Sequence, residues 1–267
     1  MSLSTLALKE QARGLLRRHE LTNATLLWVL EEQEVEVLVD EEAGPSAVAL
    51  LVRPRRGEWR NPRFPGLRRL WLEAEDVEGA REVLSRLPAG ETFYVRIHRD
   101  WLAEVVAEAF RFEPVFELVY FRGDVRGFRP RGEFRVSFEE EPGPEGLVLV
   151  EGSGRTAEAA RALVERCGGA FVARAAGMPV GICCVDPRTE RVSEILSVFV
   201  AEGARGRGVG QSLVSAAAQA VLAQGRIPTY CTRDDNFPSQ ALVRSLGFAE
   251  YQRVRYGLLH PRGGGGR

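Results

Sequence analysis

The stretch Arg205-Gly206-Arg207-Gly208-Val209-Gly210 decides the fold of this chain. It follows an apolar run at residues 195–200, typical of a strand, and opens segment 211–224, whose pattern predicts a helix. Glycine lets a backbone approach an anion closely, and the first N–H groups of a helix lack intrahelical acceptors. The stretch therefore predicts a turn that binds a phosphate-bearing ligand, such as a nucleotide-containing cofactor. An ordinary surface turn rich in glycine and arginine would have almost the same sequence, so the neighbouring segments are needed to distinguish the two.

Length and composition exclude several classes of protein. The chain has 267 residues, enough for two domains with separate cores. A hydrophobic fraction of 45% and a net charge of -1 describe a soluble globular protein without overall attraction to nucleic acid or anionic membranes. Lys9 is the single lysine, and we interpret the excess of arginine as genomic base-composition bias. We therefore expect neither a nucleic-acid partner nor a membrane partner.

The termini and the potential metal ligands point to a cytoplasmic protein without a metal. Residues 1–20 lack the features of a secretory signal, and no apolar stretch is long enough to span a membrane. The three histidines are scattered. The cysteines show no ligand spacing, and adjacent Cys183 and Cys184 would point to opposite faces of a strand. We expect buried thiols and a cytoplasmic location.

Periodicity divides the chain into two halves. In the first half it predicts, in order, helices at 6–17 and 24–32, strands at 35–39, 47–52 and 67–72, a helix at 77–87, a strand at 92–97, a helix at 101–110 and a strand at 115–121. In the second half it predicts a strand at 147–151, a helix at 156–167, a hairpin of 171–175 with 180–186, a strand at 192–200, a helix at 211–224, a strand at 228–232, a helix at 238–246 and a strand at 248–256. We expect domains at 1–124 and 146–260, a linker at 125–145 and a disordered tail at 261–267.

The two halves also match one another in sequence. A constant shift of 136 residues aligns aromatic and polar residues across a strand, a helix and a strand: Tyr94 with Tyr230, Asp100-Trp101 with Asn236-Phe237, Phe112 with Phe248, and Tyr120 with Tyr256. The order of elements agrees as well, which favours a degenerate duplication over coincidence.

The match fails at the glycine-rich turn. The first half has the acidic Glu73-Ala74-Glu75-Asp76-Val77-Glu78 in its place. Carboxylates at a helix start cap that helix themselves and repel a phosphate. Only the second half is therefore expected to bind the cofactor.

Two blocks in the second half resemble a known family. Val198-Phe199-Val200, four residues and then Arg205-x-x-Gly208-x-Gly210 resemble the acyl-CoA-binding motif of the GNAT superfamily of N-acyltransferases. The family's second conserved block is similar to Asn236, Ser239, Ala241, Leu242 and Leu246-Gly247-Phe248. The resemblance covers roughly residues 147–257. It implies an α/β (α+β) fold of two GNAT-like domains, each a mixed, mostly antiparallel twisted sheet flanked by helices, with a degenerate first domain.

The resemblance also implies a cofactor site, for acetyl-CoA or another acyl-CoA. Backbone N–H groups of the turn would hold the pyrophosphate, namely those of Arg205, Gly206, Arg207, Gly208, Val209 and Gly210. The preceding strand would separate from its neighbour and bind the pantetheine arm through Val198, Phe199 and Val200. Asn236 would contact the cofactor, cap the following helix, or do both. Arg205 and Arg207 either add charge to the phosphate contacts or are solvated loop residues.

Candidate catalytic residues follow from the expected attack of an amine on a thioester. By the period of two, Glu194 shares a strand face with Leu196, Val198 and Val200, and a carboxylate in an apolar row suits a general base. Some family members carry a base there, although a solvent-exposed strand-end glutamate fits the pattern equally well. Val243 stands seven residues after Asn236, where many members have a tyrosine as general acid. Tyr251, Tyr256, Ser239 or water would have to supply that proton.

The sequence therefore predicts an acyl-CoA-dependent N-acyltransferase acting on a primary amine of a small molecule or peptide. A similarity to glycine N-acyltransferase-like proteins, in which a degenerate half precedes the active one, suggests an amino-acid-like acceptor as one option. The alternative is a catalytically inactive acyl-CoA-binding regulatory protein, motivated by Val243. A Walker-type nucleotide site would need a lysine in the turn, which has none. The sequence is compatible with a homodimer and leaves the oligomeric state open.

Overall fold

The computed structural model describes residues 4–41, 44–53, 64 and 66–262. The predicted tail beyond residue 262 lies outside this described part. The elements, in chain order, are α1 (Thr5–Arg17), α2 (Glu20–Glu32), β1 (Val35–Val39), β2 (Ala47–Val52), β3 (Arg68–Ala74), α3 (Val77–Ser85), β4 (Phe93–Ile97), α4 (Asp100–Ala109), β5 (Phe110–Arg122), β6 (Val136–Glu139), α5 (Gly143–Gly152), α6 (Ala157–Arg166), β7 (Ala170–Ala175), β8 (Met178–Pro187), β9 (Val192–Val200), a 3₁₀ turn (Glu202–Ala204), α7 (Val209–Ala223), β10 (Ile227–Arg233), α8 (Phe237–Ser245) and β11 (Ala249–Pro261).

The described residues form two compact units. The N-terminal unit runs to Leu118 and resumes at Gln252, and the C-terminal unit spans Val119–Tyr251. The chain thus passes from one unit to the other within β5 and returns within β11.

The N-terminal unit is a sheet with helices on both faces. Its strands follow the order β1-β2-β3-β4-β11, with β3 and β4 parallel and the other pairs antiparallel. Apolar side chains of α1 and α2 pack on one face, and those of α3 and α4 pack on the other. The last strand of the chain therefore completes the sheet of the first unit, since residues 255–259 pair with β4.

The C-terminal unit has the same layered construction. Its strands β10-β9-β8-β7-β6 follow one another, with β9 and β10 parallel and the rest antiparallel. Helices α5 and α6 cover one face, and α7 and α8 cover the other. Cys183 packs toward α7 and Cys184 toward α5 and α6, which confirms that the two thiols occupy opposite faces.

Two predicted segments are wrong. The strand expected at 147–151 is part of helix α5, because Pro144 lies in its first turn and Leu149 and Val150 pack beside α6. The segment expected as a linker contains β6, which pairs with β7 through the whole of its length. Other elements lie where predicted, although several extend beyond the predicted ends.

Candidate active site

Strands β9 and β10 separate part-way along their length. Their parallel pairing covers Val192–Ile195 and Ile227–Tyr230, yet β9 continues to Val200 and β10 to Arg233. On its other edge, β9 stays paired with β8, where Phe199 faces Ile182 and Val200 faces Gly181. One edge of residues 196–200 therefore lies outside the pairing with β10, which confirms the predicted separation.

A β-bulge lies at the point of separation. Ser197 has a φ of 51°, in the left-handed region, and the β8–β9 register shifts between Ile182 and Cys184. The extra residue reverses the alternation of side chains, so that Leu196 packs toward α5 and α6 whereas Val198 packs toward α7 and α8. The expectation that Glu194 shares a face with Val198 and Val200 is therefore wrong.

The glycine-rich turn opens α7 as expected. Gly208 is the N-cap residue, with a φ of 82° and no side-chain capping bond, and its carbonyl accepts from the N–H of Ser212 at 3.0 Å. A Cβ on Gly210 would come within 2.8 Å of Cδ1 of Leu242 in α8, so a larger residue here would have to displace that side chain. Val209, which lies between Gly208 and Gly210 in sequence, is buried. The first N–H groups of a fifteen-residue helix thus converge on an uncapped end, the geometry of an anion site.

The two arginines of the turn lie on its exposed side. The Nε–H of Arg205 donates to the carbonyl of Val200 at 3.1 Å, and its guanidinium lies 5.6 Å from the Phe199 ring centroid. Arg207 lies 5.9 Å from the ring centroid of Phe134. Both guanidiniums therefore border the turn, where their charge favours an anion.

A hydroxyl pair lies beside the separated strands, on the α8 side of the sheet. The Tyr230 hydroxyl and Ser239 Oγ are 2.7 Å apart, and the N–H of Ser239 donates to Oδ1 of Asn236 at 3.3 Å. Asn236 is thereby confirmed as the N-cap of α8. Tyr230 registers with Ile195 in the last pair before the strands part. Burial raises the pKa of Tyr230 to about 12, so its phenol keeps its proton at neutral pH.

Ser239 was a candidate from the sequence, whereas Tyr230 entered only the alignment of the two halves. Tyr230 lies at the start of the separation between β9 and β10, and only the structure brings its hydroxyl to Ser239. Its hydroxyl contacts Ser239 in the first turn of α8. Ser239 lies four residues before Val243, on the same face of the helix. Val243 itself is fully buried in the core and carries no proton donor.

Glu194 lies on the opposite face of the sheet, in a buried ionic network. Its Oε2 accepts from the Nε–H of Arg188 at 2.9 Å, and its Oε1 accepts from the Cys231 thiol at 3.2 Å. Arg188 also pairs with Asp186 at 3.2 Å, and Asp186 pairs with Arg166 at 2.9 Å. Glu194 is only 6% exposed. The carboxylate is thus held by ionic partners, and the solvent-exposed alternative for this residue is wrong.

Burial and neighbouring charges set the protonation states of Cys231 and Arg188 in this network. Burial raises the pKa of the Cys231 thiol well above its usual value, and the adjacent Glu194 carboxylate raises it further. Cys231 is therefore a thiol that donates, not a thiolate. Burial disfavours the Arg188 cation, but Glu194 and Asp186 more than offset this and raise its pKa.

The candidate acids on the last strand make aromatic contacts. Tyr251 makes an edge contact with Tyr120, with ring centroids 6.2 Å apart. Tyr256 belongs to the N-terminal unit, where it stacks on Phe116 and Tyr94. The catalytic roles of both tyrosines stay predictions.

The equivalent region of the N-terminal unit is closed by its own carboxylates. Asp76 caps α3 by accepting from the N–H of Gly79 at 2.7 Å, as predicted. Beyond the paired part of β3 and β4, the buried Glu73 accepts from Arg99 and lies 2.7 Å from Nε2 of His98. An ion pair thus occupies the strand ends that would have to receive a cofactor.

The described residues hold no cluster of three or more histidine, cysteine or acidic side chains with the geometry of a metal site. Within the same residues, no helix combines the length and hydropathy needed to cross a membrane.

The comparison with known families supports these observations. Residues 133–248 match the acetyltransferase (GNAT) family. The match covers β6 to α8, including the separated strands, the turn and the hydroxyl pair. No curated protein matches the chain in sequence.

Several solved structures share the fold along nearly the whole chain. A GNAT acetyltransferase from Colwellia psychrerythraea is 12% identical, with a TM-score of 0.63 and coverage of 98% of each chain. A GCN5-related N-acetyltransferase from Kribbella flavida is 15% identical, with a TM-score of 0.61 and coverage of 92% of this chain and 95% of its own. A tandem GNAT protein from the clavulanic acid biosynthesis pathway is 16% identical, with a TM-score of 0.61 and coverage of 97% and 96%. At these identities the likeness establishes the fold alone.

Proposed function

We propose that the chain is an acyl-CoA-dependent N-acyltransferase, because residues 133–248 match the acetyltransferase (GNAT) family. Acetyl-CoA is the expected donor, and the acceptor is a primary amine of a small molecule or peptide. The observation that carries the proposal is the separation of β9 from β10 immediately before an uncapped, glycine-rich helix start. An extended thioester arm and a pyrophosphate need those two features in that order.

In the proposed reaction, the acceptor amine is deprotonated on one face of the sheet and the leaving sulfur is protonated on the other. The amine nitrogen attacks the thioester carbonyl carbon, the carbon–sulfur bond breaks, and an amide and free CoA thiol are formed. The amine loses a proton on the face of Glu194, and the departing sulfur gains one on the face of Tyr230 and Ser239. Positioning in the strand gap supplies much of the rate, and proton transfer adds to it.

Glu194 is the proposed base, and its partners orient it. Arg188 holds one carboxylate oxygen and the Cys231 thiol holds the other. These two contacts hold the carboxylate in place, so that it would accept a proton in a fixed direction. A positioned group of this kind contributes about 10²- to 10⁴-fold in rate.

The Tyr230–Ser239 pair is the proposed replacement for the acid missing at Val243. Ser239 is partly exposed and Tyr230 is buried behind it, so Ser239 would meet the sulfur while Tyr230 donates to Ser239. A pKa of about 12 keeps the phenol protonated until the thiolate forms. This pair favours an active transferase over the regulatory alternative that Val243 motivated.

Calorimetry and a turnover assay test the proposal together. Acetyl-CoA and desulfo-CoA are titrated into the protein, and thiol release is then followed with a panel of primary amines. We expect one CoA per chain and amine-dependent thiol release. Tight binding of both ligands without turnover on any amine would establish the regulatory alternative, and absence of binding would reject the site.

A further inference from the structure

Cys231 lies at the point where β9 and β10 part. It follows Tyr230, the last residue of β10 that pairs with β9, and is therefore the first residue of β10 beyond the paired region. Its thiol donates to Oε1 of Glu194 at 3.2 Å. The sulfur thus lies on the Glu194 face of the sheet, where the thioester carbonyl is proposed to react.

The other three cysteines have different surroundings. Cys183 and Cys184 are fully buried on opposite faces of β8, whereas Cys231 is partly exposed. The Cys183 thiol donates to the carbonyl of Leu213 at 3.8 Å, a neutral acceptor. Cys167 is partly exposed at the end of α6 and packs against the core that contains Cys184. Of these four thiols, that of Cys231 is the one for which the described residues provide a carboxylate at hydrogen-bond distance.

A third residue orients the carboxylate that accepts from Cys231. The Nε–H of Arg188 donates to Oε2 of Glu194 at 2.9 Å, while Oε1 accepts from the thiol. A nucleophile, a base within hydrogen-bond distance and a group that orients the base together form the arrangement used in covalent catalysis. Cys231, Glu194 and Arg188 have that arrangement.

The thiol of Cys231 is protonated at rest. Burial raises its pKa and the Glu194 carboxylate raises it further, whereas Arg188 and a hydrogen bond from Tyr120 lower it. Because the pKa stays well above its usual value, activation has to come from the adjacent base and not from a resting thiolate. Arg188 and the Tyr120 hydroxyl then stabilise the negative charge that develops on the sulfur.

We infer that Cys231 is a second acyl acceptor of this site, which takes the acyl group from bound acyl-CoA when no amine is present. The inference rests on the proposed acyl transfer and adds a covalent step to it. The thiol proton passes to Oε1 of Glu194 while the sulfur attacks the thioester carbonyl carbon. The bond from that carbon to the CoA sulfur breaks, and the CoA sulfur takes a proton from the Tyr230–Ser239 pair. Solvent restores the protonation of both groups, so that S-acyl-Cys231 and free CoA thiol are the products.

The acyl group remains reactive on Cys231. One thioester replaces another, so the step is reversible, and the acylated fraction should rise with the ratio of acetyl-CoA to CoA. An amine that enters later attacks the carbonyl carbon of S-acyl-Cys231 beside the same Glu194 carboxylate. The carbon–sulfur bond then breaks, an amide forms, and the Cys231 sulfur regains its proton from Glu194.

The first test incubates the full-length protein with acetyl-CoA in the absence of an amine, followed by an acid quench. We expect the added mass of one acetyl group per chain, located by peptide mapping at Cys231 and removed by neutral hydroxylamine. Cys231→Ala should abolish this label, whereas Cys167→Ala, which removes the other partly exposed thiol, should keep it. Glu194→Gln should slow labelling about 100-fold. A label at another residue of the wild type, or an undiminished label in Cys231→Ala, overturns the inference.

An exchange measurement detects the same step when little S-acetyl-Cys231 accumulates. Isotopically labelled CoA is mixed with unlabelled acetyl-CoA and the protein, again without an amine. The isotope enters acetyl-CoA only if the acetyl group leaves CoA and returns. We expect this exchange in the wild type and in Cys167→Ala, and its loss in Cys231→Ala.

The two readouts separate a failure of this inference from a failure of the proposed function. Amine-dependent turnover without exchange and without a label would overturn the inference and leave the proposed function in place. Exchange without transfer to any amine would uphold acylation of Cys231 and reject N-acyl transfer. Absence of both exchange and turnover would reject both.

Discussion

Gly208→Asp should remove CoA binding while leaving the fold intact. The residue caps α7 at a φ of 82°, next to the helix N–H groups proposed to bind the pyrophosphate. A carboxylate about 6 Å from two phosphate charges costs about 1.4 kcal/mol at the dielectric constant of water and about 5.5 kcal/mol at an effective value of 20. The predicted loss of affinity is therefore at least about tenfold and up to about 10⁴-fold. An aspartate would also compete for the same N–H groups.

The strain of the substitution is separated from its charge by a matched control. Gly225 lies just beyond the other end of α7, has a φ of 72°, and has open space where a Cβ would lie. Gly208→Asp and Gly225→Asp should both lower the free energy of unfolding by about 1–2 kcal/mol, because both place a side chain in the left-handed region. Only Gly208→Asp should weaken CoA in calorimetry. Equal affinity in the two variants would refute the assignment of the pyrophosphate site.

Three further predictions concern protons. Glu194→Gln should lower kcat about 100-fold or more, and an unchanged kcat would remove it as the base. Tyr230→Phe should lower kcat about tenfold or more with unchanged CoA affinity, whereas Tyr251→Phe serves as the comparison, and a larger loss in the latter would reverse the assignment. Burial lowers the pKa of His98, so the unfolded chain, with its higher histidine pKa, binds the proton first. The free energy of unfolding should therefore fall as the pH drops below about 6.5, and His98→Asn should weaken that dependence in denaturant titrations; an identical slope would contradict it.

Much of the fold could be predicted because local signals and tertiary packing agree. Gly225 and Gly247 end helices at positive φ, as expected of residues just past a helix. The apolar run at 147–151 was wrongly predicted to be a strand, because a short apolar segment fits a strand or a buried helix equally well. Periodicity could not predict which strand the last strand pairs with, because residues 255–259 pair with β4, which is distant in sequence.

The candidate site also combines features that the local sequence predicts with features that only the folded chain shows. The turn at Gly208 and the cap at Asn236 depend on neighbours in sequence, and both were predictable. The environment of Glu194 depends on a bulge at Ser197 and on Arg188, and a strict period of two cannot anticipate a bulge. Tyr230 gained its partner through folding, because Ser239 follows on a separate helix.

The most direct test of the central claim is the stoichiometry of acyl transfer. Purified protein is incubated with acetyl-CoA and the amine panel, free thiol is quantified, and the acylated product is identified by mass. We expect one amide to form for each CoA thiol released, with turnover reduced at least tenfold in Gly208→Asp at subsaturating acetyl-CoA. Saturable CoA binding without any amide product, or equal turnover in Gly208→Asp, would contradict it.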